Sequence, residues 1–308
     1  MSTTSTTESL SESPATTAFP ALTARHLQGV FVPIVTPFTA TGQIDLASFA
    51  RLARWLVDQG VHGLILNGTT GESPTVPWPE VEQLLAVLRD VVRGQIPVLV
   101  GSGTYDTAES VERTRRAQAL GADAAFAVVP YYSRPAPAGV IEHFRRIAAV
   151  GLPTVAYNIP YRTGLTLDLP TLRNILALPG VIGMKESSGG TVNIAALAGQ
   201  AGALMCGEDL LFLDALQVGA TGGIVAAANL VPRAFVDTHA AFANGRPQEA
   251  AAIFDRVRPI VAALFAEPNP APLKWALAQR GHIGDATLRL PQVPISEALA
   301  AQLRSLLA

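Results

Sequence analysis

Residues 153–188 read PTVAYNIPYRTGLTLDLPTLRNILALPGVIGMKESS. Two short apolar runs, 153–160 and 181–188, flank a stretch at 168–178 whose apolar residues recur at helical spacing. Each run is apolar at successive positions rather than alternate ones, as expected for a parallel strand covered on both faces. The same unit repeats in both directions. Upstream, runs at 29–37, 63–68, 97–103 and 123–130 are followed by helical patterns at 45–59, 79–93, 107–120 and 138–150. Downstream, a helical pattern at 191–200 leads to runs at 203–208 and 222–229, followed by helices at 210–219 and 232–244. Eight strand–helix units with no room for a second sheet predict an α/β fold, a (β/α)8 TIM barrel. A doubly wound sheet is the competing arrangement, and the absence of G-x-G-x-x-G after the first run weighs against it.

The barrel is expected over residues 27–245. Beyond it the strand pattern stops, and helical patterns at 247–265, 272–280 and 295–307 predict a C-terminal helical appendage over 246–308. Residues 1–26 are rich in Ser and Thr, with no basic residue before Arg25 and no apolar core. They read as a disordered tail and not as a secretory signal.

The chain has 308 residues, 49% of them apolar and 15% charged, so there is ample material for a large core. A net charge of −2 with scattered basic residues leaves no footprint for nucleic acid or an anionic membrane. No apolar window is long enough for a transmembrane helix. The single cysteine, Cys206, excludes an intrachain disulfide framework and a Cys-based zinc site, and suits a reducing cytosol. None of the five histidines is paired at ligand spacing, so no metal is expected. Of 22 basic residues only two are lysine, Lys185 and Lys274. A lysine kept among so many arginines can mark a place where Arg would not serve.

In such a barrel the chemistry sits at the C-terminal ends of the strands. Lys185 falls there, in the apolar run Val181-Ile182-Gly183-Met184. An ordinary lysine is neutral about once in 2500 molecules at pH 7. Burial, and a nearby cation such as Arg162, would raise that fraction. A neutral amine can attack a ketone and form an imine. The alternative is a structural pair with Glu186 or Glu208. Lys274 reads as a snorkelling or ion-pairing lysine. The turn Gly68-Thr69-Thr70-Gly71 is either an anion-binding nest or a plain strand-to-helix turn. Tyr157 on the neighbouring strand could move protons for Lys185 or simply pack its ring. Arg162 could clamp a carboxylate or lie free on a loop.

Four motifs in this order carry a resemblance: Gly68-Thr69-Thr70-Gly71-Glu72, Pro130-Tyr131-Tyr132, Tyr157-Asn158-Ile159-Pro160 with Arg162-Thr163-Gly164, and Gly183-Met184-Lys185-Glu186. With them the chain resembles the dihydrodipicolinate synthase/N-acetylneuraminate lyase family of class I aldolases, from about residue 29 to 294. The resemblance implies that Lys185 forms an imine with pyruvate and that no other cofactor is used. It implies that Thr69 and Thr70 hold the pyruvate carboxylate, that Ile224 lines the site, and that Tyr157 is the general acid/base. Thr69, Tyr157 and Tyr132 would form a proton relay, with Tyr132 supplied by a neighbouring subunit of a tetramer built as a dimer of dimers. Arg162, the tyrosine pair and the tail motifs Asn269-Pro270-Ala271-Pro272-Leu273-Lys274-Trp275 and Leu288-Arg289-Leu290-Pro291 point to the synthase branch. Its reaction joins pyruvate to L-aspartate 4-semialdehyde, giving 4-hydroxy-tetrahydrodipicolinate for lysine biosynthesis, with Arg162 on the aldehyde's carboxylate. The alternatives are a catabolic aldolase or dehydratase for a sugar acid or 4-hydroxy-2-oxoglutarate, and a non-catalytic oxo-acid binder.

Lysine-inhibited bacterial members of the family carry two His and an Asn at an interface site. Here those positions are Trp78, Val81 and Tyr105, with Glu109 retained. Feedback inhibition is therefore expected to be weak or absent. Millimolar lysine added to the purified protein should leave turnover unchanged, and clear inhibition would contradict this reading.

Overall fold

A computed structural model describes residues 19–308. Eight parallel strands, β1 (Gly29–Pro33), β2 (Gly63–Leu66), β3 (Val98–Gly101), β4 (Ala124–Val128), β5 (Thr154–Asn158), β6 (Val181–Glu186), β7 (Ala203–Cys206) and β8 (Gly222–Ile224), close into a barrel in chain order. Closure is made by β8 against β1, with Gly222 opposite Gly29 and Ile224 opposite Phe31. The predicted α/β barrel is what the chain forms.

Every strand begins within a residue of its predicted start and ends two to five residues early. The overrun has a physical cause. Past the last ladder bond most of the strands stay buried, so the apolar signal continues after the hydrogen bonding has stopped. The helices after the strands fall close to their predicted positions. Several are opened by side-chain caps: Asp45 accepts from the Ser48 N–H, Asp106 from Ala108 and Glu109, and Asp168 from Thr171. Sequence reading missed the single turn Pro160–Thr163 and the short 3-10 turns Ser73–Thr75, Asp209–Leu211 and Ala227–Asn229.

Side chains alternate between two cores. One face of each strand meets the surrounding helices through residues such as Val30, Leu64, Val100 and Met184. The other fills the barrel with Phe31, Ile65, Leu99, Phe126, Val155 and Met205. Large and small residues interlock there: a Cβ on Gly63 would stand 2.3 Å from the Phe31 ring. Of the expected tail, residues 1–18 lie outside the described residues. Residues 19–26 of the expected tail are described. They form a short 3-10 turn, Ala24–His26, and Leu22 is buried in the inner cluster, because the floor of the barrel needs an apolar cover.

The C-terminal region holds three helices, Pro247–Leu264, Ala271–Gln279 and Glu297–Leu307. The first packs along the helix Pro232–Ala243. At their junction Phe254 meets Phe235 at 5.7 Å and Phe212 at 6.3 Å between ring centroids. Helix Ala271–Gln279 buries nearly every turn, Lys274 included, so it lacks the one-sided pattern of a surface helix. Among the described residues no helix is long and apolar enough to cross a membrane.

Phe254 is fully buried and links the appendage to the barrel. Phe254→Ala should destabilise the protein by about 3–5 kcal/mol through lost contacts and a residual cavity. A fall in the urea midpoint with an unchanged slope would register it.

Candidate active site

Strands β5 and β6 run side by side with Tyr157 in register with Lys185. Both side chains therefore point into the barrel at one level. The Lys185 Nζ sits 4.5 Å from the centroid of the Tyr157 ring, which stacks on Phe126 from β4 at 5.0 Å. Lys185 is only 8% exposed. Among the described residues no carboxylate stands within 4.0 Å of its amine. Glu186 points to the opposite side of β6, where Asn158 Nδ2 donates to it at 2.9 Å. The structural pairing with Glu186 is thereby excluded.

Burial lowers the affinity of Lys185 for its proton. Asp209, Tyr161 and Glu208 act in the other direction, Asp209 most. Arg162 is not the cause of the shift, contrary to expectation. Its charge acts instead on Tyr157, whose phenol burial raises above the ordinary range while Arg162 and the Ser187 and Thr69 hydroxyls oppose the rise. Asp209 is buried, accepts from the Ala227 N–H at 2.6 Å, and is pushed up to about 6 by desolvation, with the Lys185 charge opposing. Gly207 leaves room beside the amine. A Cβ there would come within 2.6 Å of Lys185 Cε and 1.8 Å of Ser187 Oγ.

The turn after β2 faces this amine. Its internal bonds run from Gly71 N and Ser73 N to Gly68 O, and from Glu72 N to Thr69 O. The N–H groups of Thr69 and Thr70 find no backbone acceptor among the described residues. Two unpaired N–H groups beside two hydroxyls make a concave anion site. The turn is held from behind. Thr36 Oγ1 donates to Gly71 O at 2.8 Å, and Asn269 Nδ2 donates to Thr70 Oγ1 at 3.0 Å. Lys274 Nζ donates to Glu72 Oε1 at 2.7 Å and Thr36 O at 2.9 Å, and lies 4.1 Å from the centroid of the Phe38 ring. Glu72 takes a left-handed backbone, φ 58°, and its second oxygen accepts from the Arg289 N–H at 3.1 Å. Arg289 in turn pairs with Glu80 through two bonds of 2.5 and 2.8 Å. Lys274 is thus an ion-pairing lysine, fully buried rather than snorkelling.

Lys185, Tyr157, Thr69, Thr70, Arg162 and Asp209 all border one cavity of about 360 Å³ at the C-terminal end of the barrel. A second cavity of about 710 Å³ shares Thr69, Tyr157 and Arg162 with it and extends past Tyr105, Glu109 and Tyr131. Arg162 sits on the turn Pro160–Thr163 with its guanidinium 5.6 Å from the Tyr161 ring centroid. Two expected residues fall elsewhere. Ile224 is fully buried in the inner cluster, and the wall that follows β8 is formed by Ala226. Tyr132 is 91% exposed and left-handed, φ 68°, and borders neither cavity within its own chain. Sequence reading also missed Asp209, Ser187, Gly207 and Asn269. The first three follow strand ends, where the rule that found Lys185 applies equally. Asn269 opened the tail motif that carried the resemblance, but nothing local placed it at the site. No group of three His, Cys, Asp or Glu side chains among the described residues could hold a metal ion.

Residues 26–308 match the Dihydrodipicolinate synthetase family. The 4-hydroxy-tetrahydrodipicolinate synthase of Prochlorococcus marinus (strain MIT 9313) is 44% identical over 268 residues, covering 85% of this chain and 88% of that one. The enzyme of the same name from Methylobacterium radiotolerans is 38% identical over 283 residues, covering 90% and 93%. Among solved structures, a monomeric dihydrodipicolinate synthase variant superposes with a TM-score of 0.89 at 36% identity, covering 92% of this chain and 97% of that one. Dihydrodipicolinate synthase from Acinetobacter baumannii in complex with pyruvate gives 0.89 at 34% identity, covering 91% and 98%. With the lysine, the tyrosine and the Gly-Thr-Thr-Gly turn gathered at the mouth of its barrel, the chain belongs to the dihydrodipicolinate synthetase family.

Proposed function

We propose that this enzyme is a lyase that condenses pyruvate with L-aspartate 4-semialdehyde to 4-hydroxy-tetrahydrodipicolinate, through an imine on Lys185. The observation that carries the reading is a desolvated lysine with no ion-pair partner among the described residues, set in register with a tyrosine and facing two N–H groups that have no acceptor among the described residues. Pyruvate brings a carboxylate and an adjacent ketone. Thr69 and Thr70 hold the carboxylate, which presents the ketone carbon to Lys185. The neutral amine adds to that carbon, and water leaves to give the imine. A proton lost from the methyl group gives the enamine, whose terminal carbon attacks the aldehyde. The amino group of the second substrate then closes the ring by displacing Lys185. Catalysis uses the chain's own amine and no other cofactor.

Tyr157 keeps its proton because its phenol is buried, which suits it to protonate the departing hydroxyl and then take the proton back. Thr69 lies beside it as the next member of a relay. Arg162 at the rim receives the carboxylate of the semialdehyde. Tyr132 completes the relay from a second copy of the chain. Its exposure and strained backbone support a role outside its own barrel, in a tetramer arranged as a dimer of dimers.

Turnover of pyruvate with aspartate semialdehyde, coupled to dihydrodipicolinate reductase, should fall in the range of about 1–1000 per second. Borohydride should trap pyruvate on Lys185, and Lys185→Ala should abolish both trapping and turnover. A protein that traps pyruvate without this turnover would refute the second substrate and leave the imine standing.

Asp209 opposes the effect of burial on Lys185 and so contributes to the pH dependence. Its negative charge favours the ammonium form of Lys185, so Asp209→Asn should lower the Lys185 pKa further. The neutral amine then persists to lower pH. The acid limb of the trapping profile should move to lower pH in Asp209→Asn, and a shift to higher pH would contradict this electrostatic assignment.

A further inference from the structure

Thr70 can hold a carboxylate through its hydroxyl only if that hydroxyl points its hydrogen into the cavity. A hydroxyl has one hydrogen and two lone pairs, and it turns to suit its neighbours. Here one neighbour is Asn269, whose side-chain N–H donates to Thr70 Oγ1 at 3.0 Å. That bond occupies a lone pair and leaves the hydrogen of Thr70 unclaimed. Among the described residues no acceptor for this hydroxyl is found. The remaining direction is the cavity, which both side chains border.

Asn269 is well placed to impose this polarity. It is 9% exposed, and Pro268 and Pro270 on either side restrict its backbone. The Lys274 N–H donates to Pro270 O at 2.9 Å, and the Lys274 ammonium is tied to Glu72 at 2.7 Å. The segment 269–274 therefore grips the catalytic turn at two points, one ionic and one directional. The ionic contact fixes where the turn lies. The amide fixes which way the Thr70 hydroxyl faces.

We propose that Asn269 is a positioning residue which, by donating to Thr70 Oγ1, turns that hydroxyl into a donor for the carboxylate of the oxo-acid substrate. The proposal rests on the reading of Thr70 as a carboxylate-holding residue. Asn269 acts through Thr70, so its removal should weaken substrate capture more than it slows chemistry.

The test uses the intact protein and reads the pyruvate concentration that gives half-maximal borohydride trapping on Lys185, together with kcat at saturating pyruvate. Asn269→Ala should raise the half-saturating concentration about threefold to tenfold, the range set by one hydrogen bond. Its kcat should stay close to that of the unchanged enzyme, and its melting temperature likewise. Asn269→Asp should weaken capture more, because a carboxylate at this place accepts the Thr70 hydrogen and repels the substrate's charge. Thr70→Val supplies the second arm. In that background the Asn269→Ala step should have almost no effect, since the hydroxyl it acts on is gone. Unchanged capture in Asn269→Ala overturns the proposal. So does an equal effect with and without the Thr70 hydroxyl, which would mean direct contact with substrate. If Thr70→Val alone binds pyruvate normally, the role given to Thr70 fails first, and that arm shows it independently of Asn269.

Discussion

Lys185 carries its amine into a barrel whose neighbouring inward side chains are largely aromatic and aliphatic, and the closed ring of strands buries it. Desolvation is the largest influence on this amine and favours its neutral form. The rest of the site is arranged around that constraint. Asp209 and Glu208 limit the shift by supplying negative charge at a distance, and Gly207 leaves the amine room to react. The Tyr157 ring covers one side, and its own burial keeps its phenol protonated.

The two lysines of this arginine-rich chain are both buried, and they meet burial in opposite ways. Lys274 has its charge met by the Glu72 carboxylate, the Thr36 carbonyl and the face of Phe38. Lys185 has no close acceptor among the described residues. Burial lowers the proton affinity of both, but the Lys274 ammonium is tied in place by its partners as a fastening, whereas the amine of Lys185 is left without such ties. Arginine could fill neither place in the same way. Its guanidinium keeps its charge, and its planar fork does not fit the compact donor arrangement that Lys274 makes. The two lysines belong to one device, because Glu72 ends the turn that faces Lys185.

Much of this site could be read from residue types at strand ends. Lys185 and Tyr157 stood out because adjacent parallel strands bring equivalent positions together, and the Gly-Thr-Thr-Gly turn because glycines and hydroxyls were concentrated there. Other features could not be read that way. The charge of Arg162 acts on Tyr157 and Tyr161 and does not figure among the main influences on Lys185. Ile224 ends β8 and Ala226 lies two residues beyond it, before the turn Ala227–Asn229, and only the tertiary structure separates cavity wall from core. Tyr132 is exposed and borders neither cavity of its own chain, which its place in the sequence did not reveal.

The sequence by itself determined the number and order of the strands, where each begins and where the following helices lie. These depend on local periodicity, capping residues and turn glycines, all within a few positions of one another. The tertiary structure alone decided where the strands end, since a chain that leaves its ladder while still buried shows no change in composition. It also decided the partners of Lys274 and Asn269, which meet Glu72 and Thr70 across separations of 202 and 199 residues. Contacts of that span form only when the C-terminal segment folds back over a closed barrel. Their geometry follows from the packing of the whole chain and not from any pattern within it.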